Sequence, residues 1–164
     1  MRKIVIALAV VMLFAGCGNN SSDEVLEQQS TDETNKEKVQ TEQANQEREY
    51  LDKLYQTEES LNDDLKDLYA SSSTNDEKEA LAEAYRRWDD VLNEIYDVLQ
   101  TTLSTTDVNE LDNLQHDWLK FRERQAETAL SEFADGSFES VEYLSTLADL
   151  TKERCYFLVE NYMK

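Results

Sequence analysis

Apolar residues recur at three- and four-residue steps along four successive segments, a periodicity typical of amphipathic helices. In the first segment a leucine stripe runs from Leu51 to Leu68, with Glu58 as its one polar interruption, and the serines at 71–73 end it. The second segment begins with the capping-box pattern of residues 74–77. Its stripe consists of Leu81, Tyr85, Trp88, Leu92, Ile95, Leu99 and Leu103. The two stripes predict two successive helices.

Two further stripes follow in the second half of the chain. Residues 104–107 offer N-cap side chains for a third helix, and Gly136 offers a left-handed C-terminal residue after it. The third stripe consists of Val108, Leu111, Leu114, Trp118, Phe121, Ala129 and Phe133. The fourth consists of Val141, Leu144, Leu147, Thr151, Arg154 or Cys155, Leu158 and Tyr162. Together the stripes predict an all-α fold, an antiparallel bundle of about four helices. They leave open whether the first helix packs in the bundle or projects as an arm.

The composition of the chain indicates the charge that a binding partner should carry. The chain has 36 acidic and 16 basic residues among 164, a formal net charge of −20. So acidic a chain is a poor binder of nucleic acid, because affinity for the phosphate backbone depends on clustered lysine and arginine. Cationic partners are favoured instead. The absence of proline and the presence of only 3 glycines argue against hairpins and glycine-rich phosphate loops.

The N-terminus has the pattern of a bacterial export signal. Arg2 and Lys3 precede an apolar run at 4–14, which is too short for the roughly 20 residues of a membrane-spanning helix. Residues 14–17 resemble the lipobox of bacterial lipoproteins, which implies a diacylglycerol on Cys17. We therefore predict a signal peptide at 1–16, a flexible polar stalk at 17–48, and a folded domain at 49–164. The lipid anchor would hold the domain at the extracytoplasmic face of the cell membrane.

Few residues support catalysis. His116 is the single histidine, and its spacing from Asp112 could place two metal ligands on successive turns, which make only a weak site without a third ligand from elsewhere. The clustered carboxylates fit a solvated helix surface better than an acid and base facing each other across a cleft. Cys155, beside the fourth stripe, is expected to be a small buried residue. We predict a non-catalytic protein with no metal and no cofactor.

Polar residues that share a helical face with large apolar ones are more informative. Arg122 lies on the face of Trp118, and Arg154 on the face of Thr151 and Leu158. A guanidinium near a core is costly unless it finds acceptors on another helix. We expect Arg122 and Arg154 to meet acceptors on the second helix and to fix the register of the bundle; the candidate acceptors are Asp89, Asn93 and Tyr96.

Four short motifs occur in the order and spacing of a known family. They are Leu92-Asn93-x-x-Tyr96, Trp118-Leu119-Lys120-Phe121-Arg122, Gly136-Ser137, and Leu150-Thr151-x-x-Arg154-x-x-x-Leu158. Over residues 85–163 the chain resembles the lysozyme inhibitor LprI-like N-terminal domain proteins, and residues 50–84 look like an extension. The resemblance implies a helical fold, an envelope location and lysozyme inhibition. Many relatives join the third and last helices by a cysteine pair. Ala126 and residues 145–146 replace that pair here, so packing alone must hold these helices.

Two functions follow from these features. The first is a tethered inhibitor of c-type lysozyme or a similar cationic muralytic enzyme, since residues 49–164 carry 28 acidic and 11 basic side chains, a net charge of −17. Its candidate contact loop comprises Asp135, Gly136, Ser137, Phe138 and Glu139. The second is an envelope adaptor that binds another membrane protein or a second copy of itself. The leucine stripe of the first helix motivates this alternative.

Overall fold

Four helices make up the parts of the chain that the structure describes. The computed structural model describes residues 23–132 and 139–164, with side chains at 38, 41–131 and 140–164. The helices are α1 (Asp23–Ala70), α2 (Thr74–Thr102), α3 (Thr105–Glu132) and α4 (Glu139–Tyr162). Over these ranges the helices pack together and no strand is present. The prediction of an all-α four-helix bundle is confirmed.

Serine side chains define where two of the helices begin. The Oγ of Ser73 accepts a hydrogen bond from the backbone N–H of Asp76 at 3.4 Å and caps α2. From the sequence we predicted Thr74 as the cap, one residue too late, because the three serines before it were interpreted as the end of the preceding helix. Before α3, the Oγ of Ser104 accepts from the backbone N–H of Asp107 at 3.3 Å. Both side chains satisfy amides that the first turn of a helix leaves unpaired.

The polar segment before residue 49 differs from the expectation. We predicted a flexible stalk over 17–48, whereas the structure gives residues 23–48 a helical backbone within α1. Residues 23–48 are rich in Glu and Gln and contain neither glycine nor proline, so intrinsic propensity favours a helix although the segment has few apolar residues. The chain divides into two units between Glu37 and Lys38 in the sequence. The boundary of the folded domain at residue 49 stays a prediction.

The first helix contributes its leucine stripe to the core. Leu54 is fully buried, and Leu61 and Leu65 are nearly so. Each buried leucine contributes about 1.5–3 kcal/mol relative to an exposed one. Residues 50–68 of α1 therefore pack in the bundle, and this part of the helix is not a projecting arm. The same core contains Trp88, Leu92, Ile95 and Leu99 of α2, and Cys155, Leu158 and Val159 of α4.

The buried face of α3 differs from the predicted stripe. Leu111 and Ala126 are fully buried, but Leu114 and Phe121, which the sequence placed on the stripe, are 44% and 41% exposed. Gln115 and Arg122 occupy the buried face in their place. Two apolar rows run along this helix. The row that contains the polar residues faces inward, where Arg122 donates to Asp89 and Thr151, and Gln115 accepts from Arg154.

The N-terminal apolar run and Cys17 lie outside the described residues. None of the four helices, over the part of the chain that is described, has an apolar stretch of the length that a membrane crossing requires.

Candidate functional site

Two arginines lie inside the bundle of this acidic protein. Arg122 on α3 and Arg154 on α4 are each only 9% exposed. A buried guanidinium loses its hydration, so its position is stable only where hydrogen-bond acceptors or aromatic faces replace water. The surroundings of the two arginines define the polar centre of the bundle, which contains Trp118, Arg122, Thr151 and Arg154 of the family motifs.

Arg122 joins three helices. Its Nη1 donates to Oδ1 of Asp89 on α2 at 2.8 Å and to the hydroxyl of Thr151 on α4 at 3.0 Å. The same hydroxyl donates to the backbone carbonyl of Leu147 at 2.6 Å. Thr151 is fully buried, and the Asp89 side chain is 35% exposed. The guanidinium is therefore neutralised by a carboxylate at the edge of the bundle and oriented by a hydroxyl in its interior.

Aromatic rings cover the same guanidinium. The Cζ of Arg122 lies 5.0 Å from the ring centre of Trp118 and 5.3 Å from that of Tyr85. Within the described part of the chain, the buried Nε of Arg122 has no hydrogen-bond partner. Cation–π attraction grows as water is excluded, and it offsets part of the cost of this unpaired N–H.

Arg154 is held differently. Its Nε donates to Oε1 of Gln115 on α3 at 3.0 Å, and its Cζ lies 5.4 Å from the ring centre of Trp118 and 5.1 Å from that of Phe157. Among the residues that the structure describes, no carboxylate forms an ion pair with Arg154, and its buried Nη2 has no acceptor. Burial lowers the pKa of Arg154, and the nearby Tyr162 and Tyr96 partly oppose the shift.

Of the three acceptors expected on α2, Asp89 contacts an arginine and the other two do not. Asn93 is exposed and donates to Oδ2 of Asp89 at 3.4 Å. The hydroxyl of Tyr96 donates to the carboxylate of Asp112. The side-chain hydrogen bonds of Asn93 and Tyr96 therefore go to carboxylates and not to a guanidinium group. They extend the polar contacts of α2 toward the surface.

Gln115 is the member of this site that the sequence reasoning missed. It lies four residues after Leu111 and three before Trp118, which is the spacing of a buried helical position. A glutamine at that position looks like a break in the stripe when polar residues are assumed to face water. The spacing was the available signal. It places the amide of Gln115 in the interior, where the amide requires a polar partner.

The groups considered for catalysis do not converge. The His116 side chain is 70% exposed, and no group of three potential metal ligands occurs within the described ranges. Cys155 is fully buried, and its thiol donates to the backbone carbonyl of Trp88 at 3.5 Å. Burial is the main cause that raises the pKa of Cys155 to about 12, with the carboxylate of Asp89 adding to it. A thiol with this pKa is protonated at neutral pH and is a poor nucleophile.

The candidate contact loop falls largely outside the description. Asp135, Gly136, Ser137 and Phe138 lie outside the described residues, and Glu139 is described only as the first backbone position of α4. Its role in partner binding stays a prediction.

The fold and the arginine centre define the class of protein, a small all-α bundle whose helices are tied by buried guanidinium groups. The family model described as "Lysozyme inhibitor LprI" matches residues 66–158, and the chain belongs to this family. The match spans the end of α1, all of α2 and α3, and most of α4. It starts earlier than the expected residue 85, so part of the segment expected to be an extension belongs to the family domain. No curated protein and no solved structure matches the chain.

Proposed function

We propose that this protein is a lipid-anchored inhibitor of c-type lysozyme that acts at the extracytoplasmic face of the bacterial membrane. The observation that carries the proposal is the match of residues 66–158 to the lysozyme inhibitor family. Inhibition requires binding rather than chemistry, since a rigid body seated over the substrate cleft excludes the polysaccharide. The protein is accordingly non-catalytic.

Charge supports the choice of partner. Residues 49–164 carry a net charge of −17, whereas lysozymes of this type are strongly basic. Opposite net charges accelerate encounter over distances of about a Debye length, roughly 8–10 Å at physiological salt. They do not by themselves create a specific complex, so a defined contact surface is also required.

The location rests on the sequence of the N-terminus. Arg2, Lys3, the apolar run at 4–14 and the small residues before Cys17 have the pattern of a lipoprotein signal. Two acyl chains on one cysteine give stable anchoring, whereas a single chain binds a membrane only marginally. A domain anchored at this face lies on the same side of the membrane as the wall polymer that lysozyme attacks.

Cell-wall lysis tests the inhibitor function. Purified full chain in mild detergent is added at micromolar concentration and low salt to c-type lysozyme acting on a cell-wall suspension, and turbidity is followed. We expect slower clearing, whereas an unrelated acidic protein of equal net charge should leave the rate unchanged. Equal rates with and without the full chain would refute the inhibitor function.

The anchor has its own test. We expect the wild-type chain to fractionate with bacterial membranes and to carry a mass increment of a diacylglycerol at Cys17. The variant Cys17→Ser should lack the increment and appear outside the membrane fraction. A wild-type chain with an unmodified Cys17 would rule out the lipid anchor without affecting the inhibitor function.

The adaptor alternative loses the observation that motivated it. The leucine stripe of α1 was expected to offer a binding surface, but Leu54, Leu61 and Leu65 are covered by the other helices of the bundle. Lysozyme inhibition is therefore the function that we propose.

A further inference from the structure

Helix α3 exposes a second apolar row beside its buried one. Leu114 and Phe121 are 44% and 41% exposed, and Trp118, half-buried, lies between them on the same side of the helix at steps of four and three residues. Single exposed apolar residues are ordinary, but a row of three large ones along one helix is a feature of interaction surfaces.

Helix α4 continues this row through Arg154. Phe157 is 45% exposed, and its ring centre lies 5.1 Å from the guanidinium carbon that also lies 5.4 Å from the ring of Trp118. We call Leu114, Trp118, Phe121 and Phe157 the α3–α4 strip. The backbones of its two helices lie side by side in the bundle.

The aromatic residues of the strip are held in place before any partner binds. Phe157 stacks on Arg154 on one side and meets Tyr162 edge-on at 6.2 Å between ring centres. Trp118 contacts the guanidinium groups of both Arg122 and Arg154. A side chain that is already fixed loses little conformational entropy on binding, so such rings are effective anchors at interfaces.

The rim of the strip is acidic. Leu114, Phe121 and Phe157 have five exposed charged neighbours one helical turn away: Glu110, Asp117, Arg124, Glu153 and Glu160. Four of these are acids and one is a base. An apolar centre with an acidic rim is complementary to an apolar patch with a basic rim. A second copy of this chain is a poor occupant, because two domains of net charge −17 repel each other.

We propose that the α3–α4 strip is the surface on which a basic, lysozyme-type enzyme docks, with Leu114, Phe121 and Phe157 as its apolar anchors. This inference rests on the proposed function and names the surface that performs it. Arg154 is a positioning residue in this arrangement, since it holds Phe157 outward.

Two leucines of α3 provide a matched pair of variants. Leu114→Ser removes an anchor, while Leu119→Ser makes the same change at a leucine that is 41% exposed on the same helix. Successive residues are rotated by about 100°, which places Leu119 away from Leu114, Trp118 and Phe121. Both variants change helix propensity equally, so a difference between them reports on the strip.

Binding of c-type lysozyme to the full chain in detergent is measured by calorimetry at low salt. We expect Leu114→Ser combined with Phe157→Ser to raise the Kd about tenfold or more, and Leu119→Ser to change it less than about twofold. Circular dichroism checks that each variant is folded. If Phe157→Ser prevents folding, the single comparison of Leu114→Ser with Leu119→Ser decides.

Three outcomes would overturn the inference. If the wild-type chain binds lysozyme and the strip variants bind it equally well, the strip is not the docking surface, although lysozyme remains the partner. No binding of the wild-type chain would refute the proposed function, and the inference with it. If the protein sediments as a dimer in the absence of lysozyme, and Leu114→Ser converts the dimer to a monomer, the strip binds a second copy of this chain instead.

Discussion

Arg122 on α3 donates through Nη1 to Oδ1 of Asp89 on α2 at 2.8 Å, across 33 positions of the sequence. The same Nη1 donates to Thr151 on α4, so one guanidinium group joins three helices. No disulfide occurs among the described residues, and Cys155 is a buried free thiol. The contacts of Arg122 therefore fix the rotation of α3, which turns Leu114 and Phe121 outward. The stability of the bundle and the composition of its surface thus depend on the same contact.

The Arg122–Asp89 pair should be energetically coupled. We expect Asp89→Ala to lower the free energy of unfolding by about 2–3 kcal/mol, because it leaves a buried guanidinium without its carboxylate. The loss is below that of a fully buried pair, since the Asp89 side chain is 35% exposed. A double-mutant cycle with Arg122→Met, measured by urea denaturation, should give a coupling of about 1–3 kcal/mol.

Asp90→Ala is the control for this cycle. The Asp90 carboxylate pairs with Arg86 at 2.7 Å, but both side chains are largely exposed, so its loss should leave the unfolding midpoint almost unchanged. Additive effects of the Asp89 and Arg122 substitutions would contradict the pairing.

The hydroxyl group of Thr151 should contribute more to the stability of the fold than the volume of its side chain. Thr151→Val keeps the volume but removes the acceptor for Arg122 and the donor to the Leu147 carbonyl. We expect a loss of about 1–2 kcal/mol in the free energy of unfolding, because buried partners are left unsatisfied. Thr128→Val removes a similar bond to the carbonyl four residues earlier, at 2.7 Å on an exposed part of α3. An equal effect of the two substitutions would show that the contact with Arg122 contributes nothing.

Cys155 should resist thiol reagents in the folded protein. Burial raises its pKa to about 12, so at pH 8 the reactive thiolate is almost absent and the sulfur is covered. In the variant Cys17→Ser, where Cys155 is the one remaining thiol, we expect slow labelling by a disulfide reagent in buffer and rapid labelling in urea. Rapid labelling of the native chain would mean that α4 opens readily at this position.

Acid should remove a stabilising contribution of Glu83. Hydrogen bonds from Arg86 and Arg87 lower the pKa of Glu83 from 4.5 to about 2. A carboxyl with a depressed folded-state pKa stabilises the fold above its unfolded pKa, and this contribution is lost as pH falls through the folded value. We therefore expect Glu83→Gln to lower the urea midpoint at pH 7 and to approach wild type between about pH 4.5 and pH 2. Glu79→Gln, at an exposed position of the same helix, is the control. A pH-independent difference for Glu83→Gln would contradict the assignment.

The sequence predicted α2 well from Trp88 onward, because the buried residues there are all large and apolar. Earlier in the helix Ala80 and Ala84 are buried, and the predicted Leu81 and Tyr85 are only partly so. Leu92, Ile95 and Leu99 follow one row, and the polar residues between them face outward, so periodicity alone identifies the core side. The prediction for α3 was less accurate because the helix has two apolar rows. The spacing of apolar residues does not show which row is buried, because the buried row contains the polar residues Gln115 and Arg122.

The arginine centre was predictable in part. The cost of burying a guanidinium indicated that Arg122 and Arg154 need acceptors, and Asp89 is one. The choice of Gln115 for Arg154 depends on how α3 and α4 are rotated against each other, which no local pattern specifies. The helical backbone of residues 23–48 was missed because a segment with few apolar residues was assumed to be unstructured, although its composition favours a helix.

Hydrolysis of a soluble chitooligosaccharide by c-type lysozyme tests the central claim most directly, because a small substrate reports on the cleft and not on the charge of a cell wall. The full chain in detergent, at micromolar concentration and low salt, is predicted to reduce the initial rate progressively until the enzyme is saturated. Added salt should weaken the inhibition, since screening reduces the attraction between the acidic domain and the basic enzyme. An unchanged rate of hydrolysis across the whole titration at low salt would contradict the account.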